Sequence, residues 1–351
     1  MVGVFKDVAR RREKKTSNRS KGAGQLMISI VLIAFAAGCA SALMFASIVS
    51  GALISLVLLY LAPLPLMVAT LAWGPLCGGI SGIAAAVGLG AILGPPYLVA
   101  FTITVALPAW WLGHLALLGR PVARTALAAG EDPPEHPELE WYPVGRILLW
   151  IAGFAAFATM AALLTLGTDA ASITTALRDF LLRVLGAQHD VEMTAETERI
   201  IGRVVGLAPA AAAAMAMTTL TLNLWLAGKI TATSGRLLRP WPDLRSVVLP
   251  PVALAVLCAA IAFCFSDGLP LIIARIVTAA LMMAFALVGF AALHTLTLAL
   301  KNRAFWLGSI YAIVVLFIWP LVAIVVLGVA DAVFSLRVRF LRSRPPPVPA
   351  P

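Results

Sequence analysis

Long apolar runs divided by short polar joints dominate the chain from residue 26 to residue 336. A helix rises about 1.5 Å per residue, so roughly 20 consecutive apolar residues cross the hydrocarbon core of a bilayer. On that measure Leu26–Val49, Leu53–Trp73, Leu76–Leu93 and Tyr97–Leu118 predict four crossings joined by very short turns. A fifth runs from about Val144 to Leu166 and a sixth from about Val204 to Ala227. Residues 169–203 between them are too polar to span. There Leu177, Phe180, Leu181 and Val184 recur at helical spacing while Arg178, Asp179 and Arg183 face elsewhere, which predicts an amphipathic helix near 173–186 at the outer membrane–water boundary. A seventh crossing ends near Phe265, and an eighth runs from Leu271 to the turn Lys301-Asn302-Arg303. Ala304–Leu336 is one more apolar stretch, which either folds back near Trp319-Pro320 or crosses. The pattern predicts an all-α polytopic transmembrane helical bundle of 8–9 crossings.

Composition narrows the class. Of 351 residues 61% are apolar and only 12% charged, against roughly 25% charged in a soluble domain. The net charge of +10 sits beside the apolar runs, so it reads as topology and contact with the lipid bilayer rather than nucleic-acid binding. Lys6, Arg10, Arg11, Arg12, Lys14, Lys15, Arg19 and Lys21 outnumber Asp7 and Glu13, which predicts a cytoplasmic amino terminus. No short apolar core with a cleavage site precedes Leu26, so the first helix is expected to act as its own insertion signal. The expected organisation is a disordered basic arm at 1–25, a first four-helix bundle at 26–118, an acidic Pro-rich cytoplasmic loop at 119–143, a second bundle at 144–336, and a basic Pro-rich tail at 337–351. The loop at 229–245 is basic and cytoplasmic on the same rule, whereas the basic tail fits it only if the last stretch folds back. The expected address is the bacterial cytoplasmic membrane.

Candidate chemistry is sparse. Pro63 and Pro65 interrupt an apolar helix and remove the donors that the carbonyls of Leu59 and Leu61 would use, a break tolerated in lipid only against protein or a wet cavity. Gly74, Gly78, Gly82, Ala86, Gly90 and Gly94 recur every four residues, a stripe that lets backbones approach. Ordinary tight packing explains such a stripe more often than function does. Pro63, Pro65, Gly78 and Gly82 together make the candidate solute site, at a thin and irregular spot of the first bundle. Arg275, His294 and Asp331 are the membrane-embedded ionisable candidates. Snorkelling is the plainer role for Arg275 and a buried hydrogen bond for His294. Asp331 and Arg337 stand at i, i+6 and are not helical neighbours, so the spacing implies no salt bridge. The four cysteines show no metal spacing. No protease, hydrolase, P-loop or redox motif appears, and the chain is expected to be neither an enzyme nor a cofactor or metal binder.

Several stretches resemble one family. LAPLPLMVATLAWGPLCGGISG, LPAWWLGHLALLGRP, EWYPVGRILLW, SGRLLRPWPDL, GFAALH and LGVADAVFSLRVRF are similar to the YybS-like bacterial membrane proteins, which in turn resemble the substrate-binding S components of energy-coupling-factor transporters. That resemblance implies an S-component-like core and the binding or translocation of a small solute. It also implies docking of a coupling subunit on an AxxxA motif, matched by Ala36 and Ala40. The extra carboxyl-terminal helices depart from a six-helix S component. The alternative reading is a non-transporting membrane scaffold or interaction protein of the bacterial envelope.

Overall fold

A computed structural model of the chain describes residues 25, 27–121, 139–184, 194–243, 245, 247–317 and 319–342. The basic arm, most of the acidic loop and the end of the tail lie outside them. The chain forms two compact units, Met1–Leu117 with Asn223–Leu238, and Leu118–Leu222 with Arg239–Pro351.

The first unit opens with α1 (Met27–Ser50), α2 (Leu53–Trp73), α3 (Pro75–Leu93) and α4 (Pro95–Leu117), all long and apolar enough to span. Their joints are glycine–proline steps. Gly74 and Gly94 take φ of 94° and 103°, a region open to glycine, and Pro75 and Pro95 then start α3 and α4 with φ already helical. These two glycines are therefore joints outside α3 and not part of its small-residue ridge. The ridge itself is filled. A Cβ at Gly78 would stand 1.9 Å from Thr70 Oγ1, one at Gly82 would stand 3.3 Å from Ala106 Cβ, and one at Gly90 would stand 2.8 Å from Leu98 Cδ1. On α1, Ala34, Gly38, Ser41 and Phe45 form the buried stripe, and a Cβ on Gly38 would stand 2.6 Å from the Ser81 carbonyl.

The second unit begins with a two-stranded antiparallel pair, β1 (Gly119–Pro121) with β2 (Leu139–Trp141), which closes the ends of the acidic loop. An exposed ion pair, Arg120 to Glu140 at 2.7 Å, lies across it. Then come α5 (Val144–Leu164), α6 (Ala170–Val184), α7 (Ala195–Thr233), α8 (Pro251–Phe263) and α9 (Gly268–Leu296). The described residues end in α10 (Arg303–Phe317), α11 (Leu321–Phe334) and α12 (Leu336–Arg342). The amphipathic helix is α6. Asp169 caps it, accepting from the Ser172 N–H at 2.9 Å and the Ser172 hydroxyl at 2.7 Å. Helix α7 starts nine residues earlier than the apolar run predicts, continues through Pro209, and gives residues 223–233 to the first unit.

Packing in this unit centres on α9. Gly289 faces the Ile324 carbonyl and Gly328 faces the Phe285 carbonyl, each at 2.0 Å from where a Cβ would stand. Residue numbers rise along one helix as they fall along the other, so α9 and α11 run antiparallel in backbone contact. Seven helices among the described residues are long and apolar enough to span, or eight if α11 and α12, bent by 67°, count as one. At about 1.5 Å per residue, α8 with 13 residues reaches about 20 Å and α10 with 15 about 22 Å, short of a roughly 30 Å core.

Candidate functional site

The break at Pro63 divides α2 at Ala62 into Leu53–Leu61 and Pro63–Trp73. The Leu59 carbonyl, robbed of its helical donor, takes the Ala62 N–H at 3.2 Å instead. Two side chains bond the carbonyls on either side of Leu61, whose own helical donor Pro65 removes. Ser41 Oγ of α1 donates to the Ala62 carbonyl at 2.6 Å, and Asn223 Nδ2 of α7 donates to the Tyr60 carbonyl at 2.8 Å. Ser41, Ala62 and Asn223 are all buried. Pro63 is buried and Pro65 half-buried. The break and the glycines meet through Thr70, whose side chain fills the space over Gly78 and also over Gly113, where a Cβ would stand 2.6 Å from its Cγ2. Ala36 and Ala40 lie on the exposed side of α1, away from this packing.

The three ionisable candidates fall in the second unit without converging. Arg275 and His294 are 19 residues apart on α9, about 28 Å along its axis. Arg275 keeps its side chain exposed, and its guanidinium donates to the Gly206 carbonyl of α7 at 3.2 Å. Gly206 lies one turn before Pro209, whose missing N–H frees the carbonyl of Val205. A proline-weakened turn thus again receives a side-chain donor from another helix.

Asp331 has the strongest interaction of the three, and the i, i+6 spacing misjudges it. Ser335 adopts φ 51° and ψ 47°, which ends α11 in a left-handed residue and turns the chain into α12. That turn swings Arg337 back over Asp331. Its N–H donates to Asp331 Oδ1 at 3.0 Å, its Nε to Oδ2 at 2.8 Å, and its Nη2 lies 2.6 Å from Oδ2. The same guanidinium donates to the carbonyls of Arg245 and Val247. Asp331 and Arg337 are each 5% exposed, so one buried cation ties the end of α11, the start of α12 and the extended segment before α8 together. A helical-spacing argument holds only while the helix continues, and here it stops in between.

His294 is half-buried at the end of α9. Its Nε2 lies 2.9 Å from the Tyr311 hydroxyl of α10, while Arg303 Nη2 donates to the His294 carbonyl at 3.2 Å and lies 3.4 Å from Nδ1. Tyr311 stacks on Phe290 at 5.1 Å. Asn223, Ser41, Thr70 and Tyr311 are the residues that sequence reasoning passes over, whereas Arg337 is weighed there only to set aside a bridge to Asp331. Ser41, Thr70 and Asn223 carry one usable signal, a polar group within an apolar helix.

Taken together, these features define a multi-pass helical membrane protein in which Ser41, Asn223 and Arg337 are buried side chains bonded to its own backbone. The family model described as "Predicted membrane protein (DUF2232)" matches residues 38–332, and the chain belongs to that family. No curated protein and no solved structure matches it.

Proposed function

We propose that the chain is a non-enzymatic scaffold of the bacterial cytoplasmic membrane, with its amino terminus inside, that holds an ordered cytoplasmic face for other proteins. One observation carries this reading: the buried side chains Ser41, Asn223, Thr70, Asp331 and Arg337 join protein to protein. Asn223 and Ser41 bond the Tyr60 and Ala62 carbonyls at the α2 break, Thr70 fills the space over Gly78, and Asp331 with Arg337 pins the segment around Val247. Polar groups are costly in lipid unless satisfied, and here they serve rigidity. The test is mass spectrometry of small molecules released from purified protein. The scaffold reading expects no solute at stoichiometric amounts.

A second reading follows from the YybS-like and S-component resemblance and from the break itself. A solute that replaced Asn223 or Ser41 at the Tyr60 and Ala62 carbonyls would use the opened backbone, as discontinuous helices do in transporters. Pro63 and Pro65 would shape that site, and Ala36 and Ala40 would face a coupling subunit. A stoichiometric solute in the wild type that disappears when Pro63 and Pro65 are replaced by alanine would establish this reading and remove the scaffold one.

A further inference from the structure

The corner where α9 meets α10 combines three features. The first is uncompensated positive charge. Arg303 donates only to His294, its Nε is enclosed with no acceptor among the described residues, and among the described residues neither its guanidinium nor that of Arg245 is in an ion pair, although the Arg245 N–H donates to Asp243 Oδ1 at 3.0 Å. Arg245 gives its carbonyl to Arg337, and its side chain is exposed. The second is a hydroxyl–imidazole pair, Tyr311 with His294, placed beside that charge. The third is α10 itself. Leu307 is its one buried residue, Trp306 is 51% exposed and Val315 77% exposed, yet the helix is too short to cross.

We propose that this corner holds the phosphate of an anionic phospholipid headgroup, with Arg303 and Arg245 as its cationic partners and α10 lying along the acyl boundary beside it. A short helix that is apolar on nearly every side is at rest only in lipid, and basic pockets between membrane helices on the cytoplasmic side take anionic headgroups. A free phosphate would satisfy the arginines but leave α10 without a reason for its surface. A lipid satisfies both. Tyr311, 37% exposed, stands where headgroup and chains meet, as interfacial tyrosines do.

The test uses the full chain in nanodiscs of phosphatidylcholine with or without phosphatidylglycerol, followed by native mass spectrometry of retained lipid. The wild type should retain phosphatidylglycerol in preference to phosphatidylcholine. Arg303→Gln should weaken retention about fivefold, the effect of one cation near a membrane surface, and Arg303→Lys should restore most of it. Arg245→Gln keeps the carbonyl that Arg337 needs and should give a second loss, so it decides the matter alone if Arg303→Gln does not fold. Arg183→Gln on α6 should change nothing. Equal retention of both lipids, undiminished retention in the glutamine variants, an equal loss in Arg183→Gln, or complete displacement by inorganic phosphate would each overturn the proposal.

Discussion

Asp331 and Arg337 show how a single pair of residues organises several backbone segments. Removing one partner of a buried pair leaves the other charge uncompensated, at a cost of about 3–5 kcal/mol. Asp331→Ala should therefore lower thermal stability in detergent sharply, and adding Arg337→Met should recover part of it by removing the stranded cation. A wild-type melting temperature for Asp331→Ala would mean that the pair is not buried. Asp169 makes a different kind of prediction. The Ser172 N–H and hydroxyl hold its carboxyl below the usual aspartate range. Its cap therefore supports α6 fully above the ordinary aspartate pKa, and that support vanishes as pH falls through the depressed value. Amide exchange at the start of α6 should accelerate on acidification in the wild type. Asp169→Asn keeps a capping side chain without a titrating group, so its exchange should lose that acid step.

Contacts between helices in both units are made at glycines, but their neighbours differ and so should the results of substitution. At Gly78 the obstacle is the Thr70 side chain, with its Oγ1 the nearest atom. Gly78→Ala should cost about 1–3 kcal/mol as overpacking, and Thr70→Ala in the same chain should return a good part of it. At Gly289 the obstacle is the Ile324 carbonyl, which no side-chain change removes. Gly289→Ala should push α11 off α9 and stay destabilised in every Ile324 variant. Thermal unfolding of the four proteins distinguishes the two cases, and recovery at Gly289 through Ile324→Ala would contradict the backbone contact. The capped break in α2 adds an element-scale expectation. Asn223→Leu removes the donor to the Tyr60 carbonyl and should lower the yield of folded protein, whereas Asn223→Gln should be tolerated better.

At the scale of the whole chain, the course of the last apolar stretch decides the side on which the tail emerges. Helix α11 has 14 residues and extends about 21 Å, too little to cross. Arg337 then binds the carbonyls of Arg245 and Val247, so α12 begins at the depth of the segment that follows the basic loop 229–245. The basic residues of the tail and of that loop should therefore share the cytoplasmic side. Cysteine labelling in intact cells should fail at 229–245 and at 343–351 and succeed at 187–199. Labelling of the tail from outside would restore a final crossing.

Hydrophobic pattern alone determined the all-helical membrane class and the approximate limits of most spans, because a roughly 30 Å apolar layer imposes a length on each run whatever its neighbours do. It also marked Pro63, the Gly78 ridge, Arg275, His294 and Asp331 as places where a lipid-embedded chain departs from the ordinary. What each of them touches was decided only in three dimensions. The partners of the α2 break come from residues 41 and 223, far apart in the chain. Arg337 reaches Asp331 because one left-handed residue, Ser335, redirects the backbone between them. Apolar runs at Ala304–Leu336 look like one span because hydropathy measures content and not direction. Whether such a run crosses, bends or lies flat depends on side-chain hydrogen bonds to distant carbonyls, which no local pattern encodes.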